Sequence, residues 1–258
     1  MTTPHNPELP RQRVEEWLEG CDWDYHEKQF KTPYRLTVHF FNWLRGLGCL
    51  KSKQPLRIGD IGAGMGAVIY YFGKHCQDAE FVGLEINPEC VRRGNERLAA
   101  LGAKNCRLEV FNLYDSYPRQ KPHFEGLISC ALLSWLPDLK EALQKITALN
   151  PRWIAASSLF YDGPVDCIIE TRDSSRPFAS AAYTKKFYNI YSLETTREIL
   201  TELGYVEFQS TPFQIDVDLA QPAAKGMGTY TEKTSDGRRL QISGPLLMPW
   251  HFIYARKK

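Results

Sequence analysis

Leu56-Arg57-Ile58-Gly59-Asp60-Ile61-Gly62-Ala63-Gly64-Met65-Gly66-Ala67 is the stretch that decides the fold. A short apolar run leads into three glycines spaced two apart, with an acid two residues ahead of the first. That pattern is a strand running into a tight turn and then a helix, with bare backbone where a bound adenosine moiety presses close. Gly62 to Ala67 also fits the G-x-G-x-x-G/A dinucleotide fingerprint, so the glycines by themselves leave two cofactor classes open.

Asp60 separates them. A buried strand end is expected to be apolar, because an unpaired carboxylate there is costly unless it has a polar task. Phe81 to Asn87 is a second apolar strand ending in an acid, about 20 residues after the glycines, the offset of a carboxylate that hydrogen-bonds ribose hydroxyls. Glu85 is that carboxylate, with Ile86 beside it. Taken together, Asp60-x-Gly62-x-Gly64-x-Gly66 and Glu85 resemble the class I S-adenosylmethionine-dependent methyltransferases of small-molecule type, whose first motif reads acidic-x-Gly-x-Gly-x-Gly.

Further residues extend that resemblance. Cys106 to Phe111 reads as a third strand leading to Asn112-Leu113-Tyr114-Asp115, which matches the family's third motif in part: Asn112 stands where an aspartate is usual and Phe111 where a glycine is usual. The resemblance implies that Asn112 meets the adenine amino group and Leu113 walls the ring; the plain alternative is that Asn112 caps a turn. Phe124 to Cys130 is similar to the fourth motif, with Ser129 facing the cofactor, and Leu132 to Asp138 resembles the segment that follows it. Trp135 in that segment reads equally as a packing aromatic. Asp60, Gly62, Ala63, Gly64, Gly66, Glu85, Ile86, Asn112, Leu113 and Ser129 are the cofactor-binding residues so implied. Tyr34 and Arg35 join them, since an Arg near a helix start can pair with a cofactor carboxylate through its planar fork, although a solvated Arg is an equal reading.

Strands alternating with helices predict an α/β, doubly wound, mostly parallel seven-stranded sheet. The resemblance implies an antiparallel last strand, which Pro249 to Arg256 supplies. Residues 1–50 read as an N-terminal helical cap, and residues 51–258 as the methyltransferase domain, with insertions at about 161–191 and 216–245. Ser192 and Gly204 bracket a helix as N-cap and stop. Residues 228–243 read as a β-hairpin turning at Asp236-Gly237, either a flap over the acceptor or a solvent hairpin. Tyr161, Tyr183, Tyr188 and Tyr191 give the first insertion aromatic faces suited to a small polar ring.

At 258 residues with a net charge of +2, the chain has no strong pull toward nucleic acid. Seven cysteines without a Cys-x-x-Cys pair argue against zinc and against a disulfide framework, and fit a cytoplasmic setting. No stretch approaches membrane-crossing length. The expected partner is a small-molecule acceptor, with a homodimer left open. Asp162, His251 and His39 are the candidate bases for a hydroxyl acceptor. An RNA methyltransferase, a nicotinamide-dependent oxidoreductase and a non-catalytic binding protein for the same cofactor are the competing functions.

Overall fold

The computed structural model describes residues 23–51, 56–115, 123–171, 186–223 and 226–258. Helices α1 (Trp23–Lys31) and α2 (Arg35–Gly46) precede an alternating series: β1 (Leu56–Ile61), α3 (Ala67–His75), β2 (Ala79–Glu85), α4 (Pro88–Ala100), β3 (Cys106–Val110) and β4 (Gly126–Cys130). A 3-10 turn (Leu133–Trp135), α5 (Leu139–Ala148) and β5 (Trp153–Tyr161) follow. The short strands β6 (Glu170–Thr171), β7 (Lys186–Phe187) and β8 (Tyr191–Ser192) lead to α6 (Leu193–Glu202) and β9 (Tyr205–Pro212). Strands β10 (Thr229–Lys233), β11 (Arg239–Ser243) and β12 (Leu246–Leu247) form a small separate sheet before β13 (Trp250–Lys257) closes the chain.

The main sheet runs β3-β2-β1-β4-β5-β13-β9, and β8 adds two residues beside β5. Its members from β3 to β5 are parallel, whereas β13 is antiparallel to both β5 and β9. The doubly wound sheet with an antiparallel late strand is thus as the sequence predicts. The strands alternate apolar residues to two helical layers, as a sheet buried on both faces must. Ile58, Phe81, Ile128 and Phe252 join the layer of α2, α3 and α4, while Ile61, Val82, Leu127 and Ile253 join that of α5 and α6.

Helix starts are capped by the short polar side chains that favour that position. The Asn87 side chain accepts from the Glu89 and Cys90 amides at the head of α4, Asp138 from Glu141 at α5, and Ser192 from Thr195 at α6. Asn87 is followed by Pro88, whose fixed φ and missing N–H suit a first helical position. The expected hairpin is present as β10 and β11. Of the aromatics expected to line the acceptor region, Tyr188 and Tyr191 are buried and Tyr161 is half exposed. The Tyr191 hydroxyl donates to the Leu136 carbonyl at 2.8 Å, so it pins the insertion to the 3-10 turn. Tyr183 lies outside the described residues.

Candidate cofactor and acceptor site

Where the strand order reverses between β1 and β4, the carboxyl ends of the strands part and open a crevice of about 270 Å³. Ile61, Gly62 and Gly64 form its floor, Leu84 to Asn87 one wall, Phe111 to Tyr114 the far end, and Ala131, Leu132, Trp135 and Leu136 the opposite wall. His26 of α1 covers it.

The turn after β1 is shaped by close approach. Gly62 and Gly64 have φ of +72° and +54°, a region that favours residues without Cβ. A Cβ on Gly62 would stand 2.9 Å from Leu132, and one on Gly64 would stand 2.6 Å from the His26 ring. The amides of this turn are engaged within the protein. Gly62 and Ala63 donate to the Leu84 carbonyl at 2.8 and 3.3 Å, Gly66 to Ala63 at 2.9 Å, and Gly64 to Glu85 Oε2 at 2.8 Å.

Two carboxylates carry the site's charge. Glu85 at the end of β2 also accepts from the Asn87 amide at 3.0 Å. Burial raises its carboxyl above the ordinary value, and the backbone donors oppose that rise. Asp60 is buried in β1, and neither of its oxygens has a hydrogen-bond partner among the described residues. Burial first, and the nearby Glu85 second, push its carboxyl well above the ordinary 3.8. A buried carboxyl without donors is costly. Such groups cluster at sites that meet a ligand.

Gly62, Gly64, Glu85, Ile86, Asn112 and Leu113 all line the crevice. Asn112 does what its plain reading says as well: its Oδ1 accepts from the Tyr114 amide at 3.0 Å, and its Nδ2 donates to Asp115. Ala63 is buried behind the turn, and Gly66 is the left-handed N-cap of α3. Ser129 does not reach the crevice wall; its hydroxyl donates to the Ile61 carbonyl at 3.3 Å. One strand step further on, Ala131 takes the place at the rim, with a φ of +57° that is uncommon for a residue bearing Cβ.

Tyr34 and Arg35, expected as cofactor ligands, stand outside the crevice lining. Tyr34 is exposed, with its ring tilted against Tyr25. Arg35 is held by Asp216, with Nε to Oδ1 at 2.7 Å, and neither residue lines the crevice. Among the candidate bases, His39 Nε2 lies 3.2 Å from the same Asp216 carboxylate. His251 pairs in register with Ser158 and Pro212, with Nδ1 3.2 Å from the Pro249 carbonyl. Asp162 is exposed in the turn after β5. None of the three lines the crevice.

Several lining residues escape the sequence reading. Asn87 is marked by the Asn-Pro helix start, Tyr114 and Leu132 fall inside the Asn112–Asp115 and Leu132–Asp138 runs without being singled out, and Cys90 carries no pattern that separates it from core. His26 belongs to an aromatic helix in which nothing distinguishes it. Its place depends on tertiary contacts: Glu27 pairs with Arg97 at 3.4 Å, and the Arg93 guanidinium lies 4.0 Å over the Trp23 ring.

Comparison with known proteins gives this geometry its family. Residues 60–150 match the family model described as a methyltransferase domain. Residues 60–150 thus form a methyltransferase domain. No curated protein matches the chain in sequence. Among solved structures, it is similar to the 1,6-didemethyltoxoflavin-N1-methyltransferase of Burkholderia thailandensis, which was crystallised with its acceptor and S-adenosylhomocysteine. That match has 16% identity and a TM-score of 0.54 and covers 100% of this chain and 93% of that one. It is also similar to the N-terminal domain of EvdMO1, crystallised in the presence of S-adenosylhomocysteine and D-fucose, at 14% identity and a TM-score of 0.53, covering 97% of this chain and 96% of that one. A chain from Galdieria sulphuraria assigned as a sarcosine dimethylglycine methyltransferase matches at 17% identity and a TM-score of 0.50, covering 69% of this chain and 64% of that one. At these identities the likenesses establish the fold.

S-adenosylmethionine is the cofactor of the class, and the methyltransferase domain's crevice fits it. The bare backbone at Gly62 and Gly64, the Glu85 carboxylate at ribose distance along the chain, and the unpartnered Asp60 carboxylate suit a nucleoside that carries cationic groups. Among the described residues no cluster of metal-ligating side chains occurs, and no helix is long and apolar enough to cross a membrane. The six described cysteines are free thiols.

Proposed function

We propose that this methyltransferase domain acts on a small polar molecule, in the class of a sugar, a nucleotide-sugar or a natural-product-like acceptor, by direct methyl transfer to O or N. The observation that carries the cofactor choice is the pair of carboxylates, Asp60 and Glu85, beside a turn whose Gly62, Ala63, Gly64 and Gly66 amides are engaged within the protein. A dinucleotide would bring a pyrophosphate to that turn and needs free backbone donors there. Gly62, Ala63 and Gly64 donate elsewhere, and the Asp60 and Glu85 carboxyls present acceptor oxygens where a phosphate needs donors. A cationic cofactor is favoured by the same arrangement.

S-adenosylmethionine, when bound, supplies a methyl group already activated on a sulfonium. The chain's own residues then have to hold, align and dry the site. Glu85 is placed to accept from ribose hydroxyls through the lone pairs left by its backbone donors. Asn112 and Leu113 border the base, and Asp60 offsets positive charge from within β1. Ala131, Leu132 and Trp135 form an apolar wall that excludes water from the methyl end.

The acceptor class rests on the rim. Trp135 has the Tyr188 ring 5.1 Å away and the Lys186 ammonium 5.9 Å over its face, so a flat or ring-shaped polar molecule meets aromatic surface edged by charge. The balanced charge of the chain supplies no broad basic face for RNA. One similar structure has 1,6-didemethyltoxoflavin bound, and another was determined in the presence of D-fucose.

Equilibrium titration with S-adenosylmethionine and with NAD tests the cofactor. Saturable binding of the first alone is expected, and binding of NAD with no response to the sulfonium compound sinks the proposal. A labelled-methyl assay across sugar, amine and RNA pools then sorts the acceptor, with transfer confined to RNA overturning the small-molecule choice.

A further inference from the structure

We infer that His26 is the residue that holds the carboxylate of the cofactor's methionine portion, an inference that rests on the cofactor reading above. The crevice has a direction. Glu85, Asn112 and Leu113 mark the adenosine end beside β2 and β3, so the amino-acid end lies over the glycine turn toward Leu132 and Trp135. That end of the molecule carries an ammonium, a sulfonium and a carboxylate. The cations are matched by Asp60 within β1, an acid that offers the carboxylate nothing.

The carboxylate therefore needs a donor, and the glycine-turn amides nearest to it are taken. The amides of Gly62, Ala63, Gly64 and Gly66 are all engaged with Leu84, Glu85 and Ala63. Arg35, the residue whose type suits the task, is held by Asp216 away from the crevice. Asn87, Asn112 and Tyr114 follow β2 and β3 at the adenosine end. Among the described residues lining the crevice, His26 alone can carry a positive charge. Its ring packs on Gly64, so close that a Cβ there would meet Cε1 at 2.6 Å and Nδ1 at 3.0 Å. The helix that bears it is anchored on α4 through Glu27 with Arg97 and Trp23 with Arg93. An imidazole N–H donates to a carboxylate whether the ring is neutral or protonated.

Calorimetric titration of the full chain with S-adenosylhomocysteine and with 5′-methylthioadenosine, which keeps the adenosine and the thioether but lacks the amino-acid end, tests this. His26→Phe keeps a ring on Gly64 and removes the donors, and His26→Gln restores an N–H donor. His26→Phe is expected to weaken S-adenosylhomocysteine by about tenfold to a hundredfold, the range of one hydrogen bond to a charged group, and to leave 5′-methylthioadenosine unchanged. His26→Gln recovers part of the loss. Equal weakening of both ligands, which marks His26 as a cover for the whole crevice, overturns the inference, as does no weakening of either. A parent protein that binds neither ligand overturns the cofactor reading itself, so the two failures are told apart. Thermal melts run on each variant confirm that affinities are compared between folded proteins.

Discussion

Asp60 shows how a single side chain links folding to function. Its carboxyl is buried without donors, and burial together with Glu85 raises it well above 3.8. A carboxyl raised in the folded state contributes stability that is fully present below 3.8 and is lost as the pH climbs toward the raised value, because the unfolded chain ionises first. Each unit of that rise corresponds to about 1.4 kcal/mol. Asp60→Asn is therefore expected to gain thermal stability relative to the parent as the pH increases from 4 to 7 in the absence of ligand, which melting curves at stepped pH measure. The same variant is expected to lose S-adenosylmethionine affinity by at least about tenfold, read by calorimetry, because the charge that offsets the cofactor's cations is gone. A more stable, weaker-binding variant would identify Asp60 as strain retained for a ligand.

Among the elements, α1 and α2 carry the clearest difference between local and tertiary information. Arg35 at the head of α2 reads from sequence as a cofactor ligand, yet Asp216, 181 residues away in the chain, takes its guanidinium and shares its carboxylate with His39. Pairing with Arg35 holds the Asp216 carboxyl well below its ordinary 3.8. The stability this contributes is present above 3.8 and is lost as the pH falls from there toward the depressed value. Both side chains are about 40% exposed, so water and salt screen the pair. Arg35→Ala is expected to cost less than about 1 kcal/mol in a denaturant titration. Cofactor affinity should be unchanged, and a large loss of affinity in that variant would return Arg35 to the site. The caps of α4, α5 and α6 were legible because Asn, Asp and Ser satisfy helix amides within four residues of themselves. No such local rule links Arg35 to Asp216 or seats α1 on α4.

At the scale of the whole molecule, the small sheet β10-β11-β12 packs beside the end of β5 through Met227, Leu246 and Met248, which share a cluster with Leu159, Tyr188, Trp135 and Trp250. Trp135 belongs to that cluster and to the crevice wall at once, so the residues flanking the hairpin, tied to it where the Met248 amide donates to the Gln241 carbonyl and the Ser243 hydroxyl to the Met227 carbonyl, lie on the Trp135 side of the crevice. Replacing residues 229–243 with a short glycine turn is expected to leave S-adenosylmethionine binding intact and to abolish methyl transfer to the acceptor. Calorimetry and a labelled-methyl assay on the same preparation separate the two; loss of both would assign the hairpin to stability, and loss of neither to solvent. By itself the sequence determined the doubly wound sheet, the glycine turn and the two acids on it. Those features follow from residues near one another in the chain, through strand alternation, backbone freedom and the roughly 20-residue repeat of a strand-helix-strand unit. Only the tertiary structure decided that His26 covers the turn, that Ala131 rather than Ser129 meets the crevice, and that Arg35 is held elsewhere. Each of these depends on which distant surface a side chain packs against, and that is settled by the burial of whole helices.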